Sequence, residues 1–252
     1  MLIDNISVVM IVNNAQKTLT LCLDSLRDFK EVIIYENNST DDTVEIASHY
    51  PNVQLIKGNF LGFGPTKNRA ISYASNEWIL SLDSDEVLSQ EFVENLKKEE
   101  LDSNALYTIL RSNYYKEQQI KHCWGDDIIV RLFNKNRTKF TDKKVHEKII
   151  DEGFEIKTLK GEVKHYPYAT VSDFIVKLDK YSTIYAEDNA GKKKSSPLKA
   201  FANGSFSFFK TYFIKRGFLD GYPGLIIAFS HMATNFYKYI KLYELNKELK
   251  GK

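Results

Sequence analysis

Cysteine is scarce: Cys22 and Cys123 are the two in 252 residues. So few thiols give neither a disulfide framework nor metal-ligand spacing, so a reducing cytosol is the simpler setting and both read as plain core or surface thiols. No basic n-region precedes an apolar stretch, and no secretory signal is visible. The longest apolar run near the C-terminus, Leu225 to Phe229, is bounded by Gly224 and by Ser230-His231, too short to span a bilayer. The dinucleotide fingerprint G-x-G-x-x-G and a Walker-type Gly-Lys-Ser/Thr are both missing, and Gly62-Phe63-Gly64 runs directly into Pro65, which argues against a phosphate-binding glycine loop. There is no internal repeat and no low-complexity segment.

What is present is ordinary globular usage, with 43% hydrophobic and 27% charged residues. The length suits one large domain, or a catalytic domain with a smaller appendage. The net charge of +2 argues against a dedicated nucleic-acid binder, but it averages two opposed parts. From Lys192 to Lys252 there are 12 basic and 3 acidic residues, a local charge of +9, whereas residues 1–191 carry 23 basic and 30 acidic groups, or −7. Aromatics follow the same divide, with 13 of the 31 Phe and Tyr residues between Phe201 and Tyr243.

The first third alternates between two periods. Ile6 to Val12 and Glu31 to Tyr35 are buried-type strands flanking a helical pattern over Thr18 to Leu26. Ser39-Thr40-Asp41-Asp42 opens a helix over Thr43 to His49, Val53 to Ile56 is a third strand, Pro65 starts a helix through Ala74, and Trp78 to Leu82 is a fourth strand. Such alternation predicts an α/β domain with a mostly parallel sheet flanked by helices. Ligands of such sheets bind at the carboxyl ends of the strands, where Asn13-Asn14, Glu36-Asn37-Asn38 and Asp83 to Glu86 fall. Farther on, Leu106 to Arg111 and Asp127 to Phe133 read as strands and Glu155 to His165 as a strand pair around Lys160-Gly161. From Val171 the pattern is helical, interrupted at Gly217, Gly221 and Gly224. The division expected is an α/β domain over 1–170, itself in two parts (1–100 and 101–170), followed by a helical region over 171–252.

Asp83-x-Asp85 is the sharpest local signal. Two carboxylates on a strand-terminal turn can share a hard divalent cation that keeps positions open for phosphate oxygens. A solvated turn or helix cap is the other reading of that spacing. Trp124 and Tyr114-Tyr115 either present aromatic faces to a ligand or fill the core. Arg131 is either a phosphate contact or a buried partner of Asp127. His49, His122, His165 and His231 have no partners by spacing and read as structural or solvated.

Strand-Val-Asn-Asn, strand-Glu-Asn-Asn-Ser-Thr-Asp-Asp-Thr, Gly-Phe-Gly-Pro-Thr-Lys-Asn-Arg-Ala and Trp-Ile-Leu-Ser-Leu-Asp-Ser-Asp-Glu, in this order, resemble the nucleotide-sugar domain of inverting glycosyltransferase family 2. The resemblance covers residues 6–86. The segments Asp127-Ile-Ile-Val-Arg-Leu-Phe, Val145-His-Glu and Gly217-Phe-Leu-Asp-Gly-Tyr-Pro-Gly224 look like the bacterial branch that adds sugars to the lipopolysaccharide or lipooligosaccharide inner core, β-1,4-glucosyltransferases acting on heptose included. What it implies is a GT-A, Rossmann-like fold and a UDP-sugar donor. It puts the nucleotide sugar against Ile11, Asn13, Glu36, Lys67, Asp83 and Ser84, and magnesium or manganese on Asp83, Asp85 and His146. An aromatic is frequent at the Asn13 position, and Glu36 stands where an aspartate usually reads the uracil edge.

The chemistry needs a carboxylate base for the acceptor hydroxyl and positive charge for the departing diphosphate. Asp127 matches the family's Asp-x-x-x-Arg-Leu-Phe segment and is the expected base, with Glu147 and Asp126 as substitutes. His146 either completes the metal shell, orients the diphosphate, or is structural. The basic aromatic tail reads as an attachment to an anionic membrane surface, the other reading being aromatics packed on the sheet or a partner subunit with lysines in solvent. The expectation is a cytoplasmic enzyme, peripheral to the inner membrane, that moves glucose from UDP-glucose to a sugar of a lipid-linked core oligosaccharide, with no nucleic-acid partner. A capsule, polyprenyl-linked glycan or peptide acceptor is the runner-up, and a non-catalytic membrane adaptor a further alternative.

Overall fold

The apolar run of the first strand has a simple cause: it is covered on both faces. In the computed structural model, which describes residues 2–250, strand β1 (Ile6–Val12) sends Ile6, Val8, Met10 and Val12 into one core cluster and Val9 into another. A strand buried on both sides needs no polar alternation, and each fully buried Val or Ile contributes roughly 1.5–3 kcal/mol. The same holds next door, where Val32 and Ile34 enter the first cluster and Ile33 the second.

The chain continues through α1 (Leu19–Asp24), β2 (Glu31–Glu36), α2 (Thr43–Ser48), β3 (Val53–Lys57), α3 (Phe63–Ile71), β4 (Trp78–Ser81), β5 (Glu86–Leu88) and α4 (Gln90–Leu96). Then follow β6 (Ala105–Tyr115), β7 (Gln118–Gln119), β8 (Asp126–Asn134), β9 (Glu155–His165), α5 (Val171–Asn189), α6 (Pro197–Phe209) and α7 (Gly221–Lys250). The sheet order is β3-β2-β1-β4-β8-β6-β9-β5, with β7 paired to β6. Its first four strands are parallel, joined by helices as the alternation predicts, and β8 joins β4 antiparallel. This is the mixed α/β, GT-A arrangement with a helical C-terminal region.

The fold separates into two units, Met1–Ser112 with Asp126–Tyr166, and Asn113–Gly125 with Pro167–Lys252. The second unit therefore takes a segment from the middle of the chain as well as the C-terminal helices.

Two local expectations are corrected. Residues 155–165 form one strand rather than a strand pair about Gly161. Gly161 has φ +102°, and a Cβ there would lie 2.5 Å from the Phe92 Cα, so the glycine admits the close approach of α4 and makes no turn. Nor do Gly221 and Gly224 interrupt the last helix: α7 starts at Gly221, after a wide helical turn over Lys210–Ile214 and a tight one over Gly217–Asp220.

The second unit has its own aromatic core. Tyr168 and Phe174 stack with centroids 3.8 Å apart, Trp124 stacks on Tyr168 at 5.5 Å, and Tyr115 meets Phe174 edge-on at 5.6 Å. Tyr115 is 1% exposed. Of the two readings open for it in the sequence, core filling is the one realised. Asp220, also buried, accepts from the backbone N–H groups of Lys121, His122 and Cys123 and pairs with His122 Nδ1 at 2.8 Å. That carboxylate ties the turn before α7 to the 121–123 segment. Thr170 and Asp173 close a capping box at the start of α5.

Candidate active site

Three parallel strand ends bring the expected residues to one side of the first unit. Ile11 and Val12 of β1 lie in register with Tyr35 and Glu36 of β2. Just beyond, Asn13 Nδ2 donates to the Asn37 carbonyl at 2.7 Å, and Asn14, at φ +52°, accepts from Thr40 N through its side chain at 2.8 Å. Glu36 is buried and accepts from the Ser39 backbone N–H, which fixes the turn after β2. Asn37 Oδ1, by contrast, is buried without a partner. An orphaned acceptor at a strand end suits an N–H donor brought by a ligand.

The second group gathers where β4 ends. Helix α3 begins just after its N-cap residue Gly62, and Phe63 N and Gly64 N donate to the carbonyls of Lys144 and Lys143 at 3.0 and 3.1 Å. Only a glycine fits at 64, because a Cβ there would lie 2.0 Å from Thr141 O. This contact fixes the 141–149 segment against α3, so that Lys67 Nζ sits 3.0 Å from Glu147 and 3.4 Å from Asp83. Lys67 is 7% exposed. Asp83 is engaged on its other oxygen by Arg131 of β8 at 2.5 Å, and Arg131 also pairs with Glu86. Glu86, fully buried, binds Arg111 of β6 at 3.0 Å, and Arg111 reaches Asp127 at 2.9 Å.

The result is a chain of alternating charge, Glu147–Lys67–Asp83–Arg131–Glu86–Arg111–Asp127. Burial alone would raise the Asp83 carboxyl, but the Arg131 and Lys67 charges beside it hold it well below the usual carboxylate range. Burial would likewise depress Arg131, and Asp83 and Glu86 raise it instead. A cavity of about 350 Å³ is lined by Lys67, Asp83, Arg111, Arg131 and Glu147 together with Phe140.

Asp83, Asp85 and His146 do not gather into a cation site. Among the described residues no three His, Cys, Asp or Glu side chains lie close enough to hold a metal ion. Asp83 has both oxygens committed to cationic side chains, and His146 is exposed with φ +58°. Ser84 is half-buried on the turn between the two aspartates. Asp85, unlike Asp83, forms no salt bridge with a Lys or Arg among the described residues. Its neighbour is His165 of β9, whose Nε2 lies 3.5 Å away. Asp85 and the His165 imidazole would together give a divalent cation two ligands, its other positions being left to other groups.

Several participants were invisible in the sequence. His165 lies 80 positions from Asp85 and reaches it through the β5–β9 pairing, in which it faces Glu86. Arg111 and Glu86 carry no spacing signal toward Asp127 or Arg131. Arg131 is a buried ion-pair partner, of Asp83 and Glu86 rather than Asp127, and it lines the cavity.

A family model described as Glycosyl transferase family 2 matches residues 7–157. The chain is 28% identical over 256 residues to an uncharacterised glycosyltransferase of Rickettsia typhi, covering 96% of this chain and 87% of that protein. It is 23% identical over 244 residues to the lipopolysaccharide core biosynthesis glycosyltransferase LpsC of Rhizobium meliloti, covering 92% and 89%. Its fold is similar to that of residues 1–349 of S. aureus TarS, solved in complex with UDP-GlcNAc, with a TM-score of 0.51, 15% identity, and coverage of 98% of this chain and 92% of that one.

Proposed function

Because the chain belongs to glycosyl transferase family 2, we propose that it transfers a hexose, glucose from UDP-glucose, with inversion onto a sugar of a lipid-linked core oligosaccharide, and that it works at the inner face of a membrane. The observation that carries the donor reading is the convergence of Lys67 and Arg131 on Asp83 at the end of β4. Fixed cations at a strand end can meet a diphosphate with no reorganisation at the moment its bond to the sugar breaks. The similarity to LpsC supports the core-oligosaccharide acceptor.

The geometry supports a division of labour among these residues. Asn13, Glu36 and Asn37 order the β1 and β2 ends, and the unpartnered Asn37 Oδ1 offers an acceptor to a nucleobase N–H. Lys67 and Arg131 stabilise the negative charge that develops on the leaving diphosphate. Asp127, whose side chain is 45% exposed and held on one oxygen by Arg111, takes the acceptor proton. Glu147 is the base in the alternative arrangement; its salt bridge to Lys67 supports a part on the donor side instead. Magnesium or manganese, held by Asp85 with His165 beside it, would add Lewis-acid neutralisation of the diphosphate.

The test is a donor panel with the purified chain: UDP-glucose, UDP-galactose and UDP-N-acetyl sugars, each with and without manganese. UDP-glucose turnover that rises with manganese, and loses that rise in Asp85→Ala, is the expected result. Failure to turn over any of these donors removes the donor class, and unchanged manganese dependence in Asp85→Ala removes the metal assignment.

A further inference from the structure

The aromatic tail is not simply a core. In the second unit, the rings of Phe208, Phe209, Tyr212, Phe213, Phe218 and Phe229 form one connected patch. Centroid separations are 5.4 Å for Phe208–Tyr212, 5.0 Å for Phe208–Phe229, 5.4 Å for Phe209–Phe213, 5.3 Å for Tyr212–Phe213 and 6.2 Å for Tyr212–Phe218. Yet Phe209, Phe213, Phe218 and Phe229 are 52%, 50%, 47% and 50% exposed, and the neighbouring Ile214 and Leu219 are 59% and 54% exposed. Monomeric soluble proteins rarely leave a contiguous apolar patch of this kind without an occupant.

The local backbone explains why the rings gather. At the end of α6 the helix widens over Lys210–Ile214, Arg216 adopts a left-handed φ of +55°, and a tight turn over Gly217–Asp220 leads into α7. A straight helix would distribute these side chains around its axis, whereas this bend places Phe218 against Tyr212. Lys210, Lys215 and Arg216 are exposed along the same bend. Between Gly191 and Leu219 there are seven Lys and Arg residues and no Asp or Glu.

We propose that this bend is the surface by which the protein lies on an anionic lipid leaflet, with Phe209, Phe213, Phe218 and Leu219 at the level of the acyl boundary and Lys210, Lys215 and Arg216 among the headgroups. The inference rests on the peripheral attachment proposed above and deepens it by naming the surface. Aromatic side chains suit that boundary, and lysine and arginine are drawn to anionic headgroups. A second copy meeting the patch through this same segment would bring like charges together, with no acidic residue between Gly191 and Leu219 to offset them. Among the described residues no helix is long and apolar enough to cross a membrane, so the contact lies in the plane of the surface.

Vesicle flotation of the full chain tests this. Wild type is expected to float with vesicles rich in phosphatidylglycerol and at least about tenfold less with phosphatidylcholine. Phe209→Ser, Phe213→Ser and Phe218→Ser combined are expected to reduce flotation by about tenfold or more. Their thermal midpoint should fall by only a few degrees, since these rings are already half exposed. Lys210→Gln, Lys215→Gln and Arg216→Gln combined are expected to weaken anionic binding and flatten its salt dependence. Wild type that fails to float overturns the attachment itself, and a serine variant that floats like wild type overturns the surface named here. A dimer in sedimentation velocity that the serine substitutions abolish reassigns the patch to a second copy. UDP-glucose hydrolysis, measured on the same samples without vesicles, separates failure of the donor reading from failure of this one.

Discussion

Arg131 Nη2 lies 2.5 Å from Asp83 Oδ2, so the first carboxylate of the Asp-x-Asp turn is an ion-pair partner before any ligand arrives. The pair joins β8 to the turn after β4 and, through Glu86, extends to Arg111. Removing one partner of such a buried network leaves the others uncompensated.

Arg131→Met is therefore expected to destabilise the first unit by about 3 kcal/mol or more, because the fully buried Glu86 loses one of its two cations. Urea denaturation followed by far-UV circular dichroism measures this. A variant as stable as wild type shows that the network contributes little net stability.

Asp127→Asn is expected to lower kcat by roughly 100- to 10,000-fold while leaving the unfolding midpoint close to wild type. Asp127 is 45% exposed, and its salt bridge to Arg111 is worth under about 1 kcal/mol at such a position. Asp126→Asn and Glu147→Gln serve as comparisons in the same transfer assay. A larger loss in either of them than in Asp127→Asn moves the base to that residue.

Asp220→Asn is expected to cost on the order of 3 kcal/mol, because a buried carboxylate that collects three backbone N–H groups and His122 is replaced by an amide that cannot accept them all. Burial alone would raise the Asp220 carboxyl, but the Cys123 N–H, His122 and Lys121 N–H hold it below its ordinary value. With the native pKa depressed, this stabilisation is complete above the unfolded-state value of about 3.9 and is lost as the pH falls through the native value. Thermal midpoints measured across acid pH should thus converge for wild type and Asp220→Asn below about pH 4. A constant gap down to the lowest pH at which both fold rules the linkage out.

Both cysteines are buried, and burial raises their thiols: Cys22 well above the usual value, with Glu86, Asp85 and Asp83 adding to it, and Cys123 to about 12, with Asp220 adding to it. Since the thiolate is the reacting species, native protein should react with a chromogenic disulfide on the order of a hundredfold more slowly than the urea-unfolded chain. Rapid titration of either thiol in the native state contradicts the buried placement.

Much of the first unit was legible because its signals are local. The run Ile6 to Val12 is apolar at every position but Ser7 because β1 is covered on both faces, and the turn residues after it mark the ligand side of a parallel sheet. The order of β1, β2, β3 and β4 with their helices follows from that alternation. Gly161 misled for an equally local reason: a glycine in a strand pattern reads as a turn, whereas here it admits Phe92 of α4.

The amino-acid sequence by itself determined the alternating strands and helices, the placement of Asn13, Glu36, Asp83 and Asp85 at strand ends, and the concentration of basic and aromatic residues toward the C-terminus. Each is a property of neighbours along the chain. Tertiary structure alone decided who pairs with whom: that Asp83 faces Lys67 and Arg131, that Asp85 meets His165 and not His146, and that Arg111 holds Asp127. It also decided which aromatics of the second unit are core and which are exposed, Phe174 buried and Phe213 half in solvent. The reason is physical: ion pairs and ring contacts depend on strand register and helix packing across tens of residues, and no periodicity in the sequence encodes a distance of that kind.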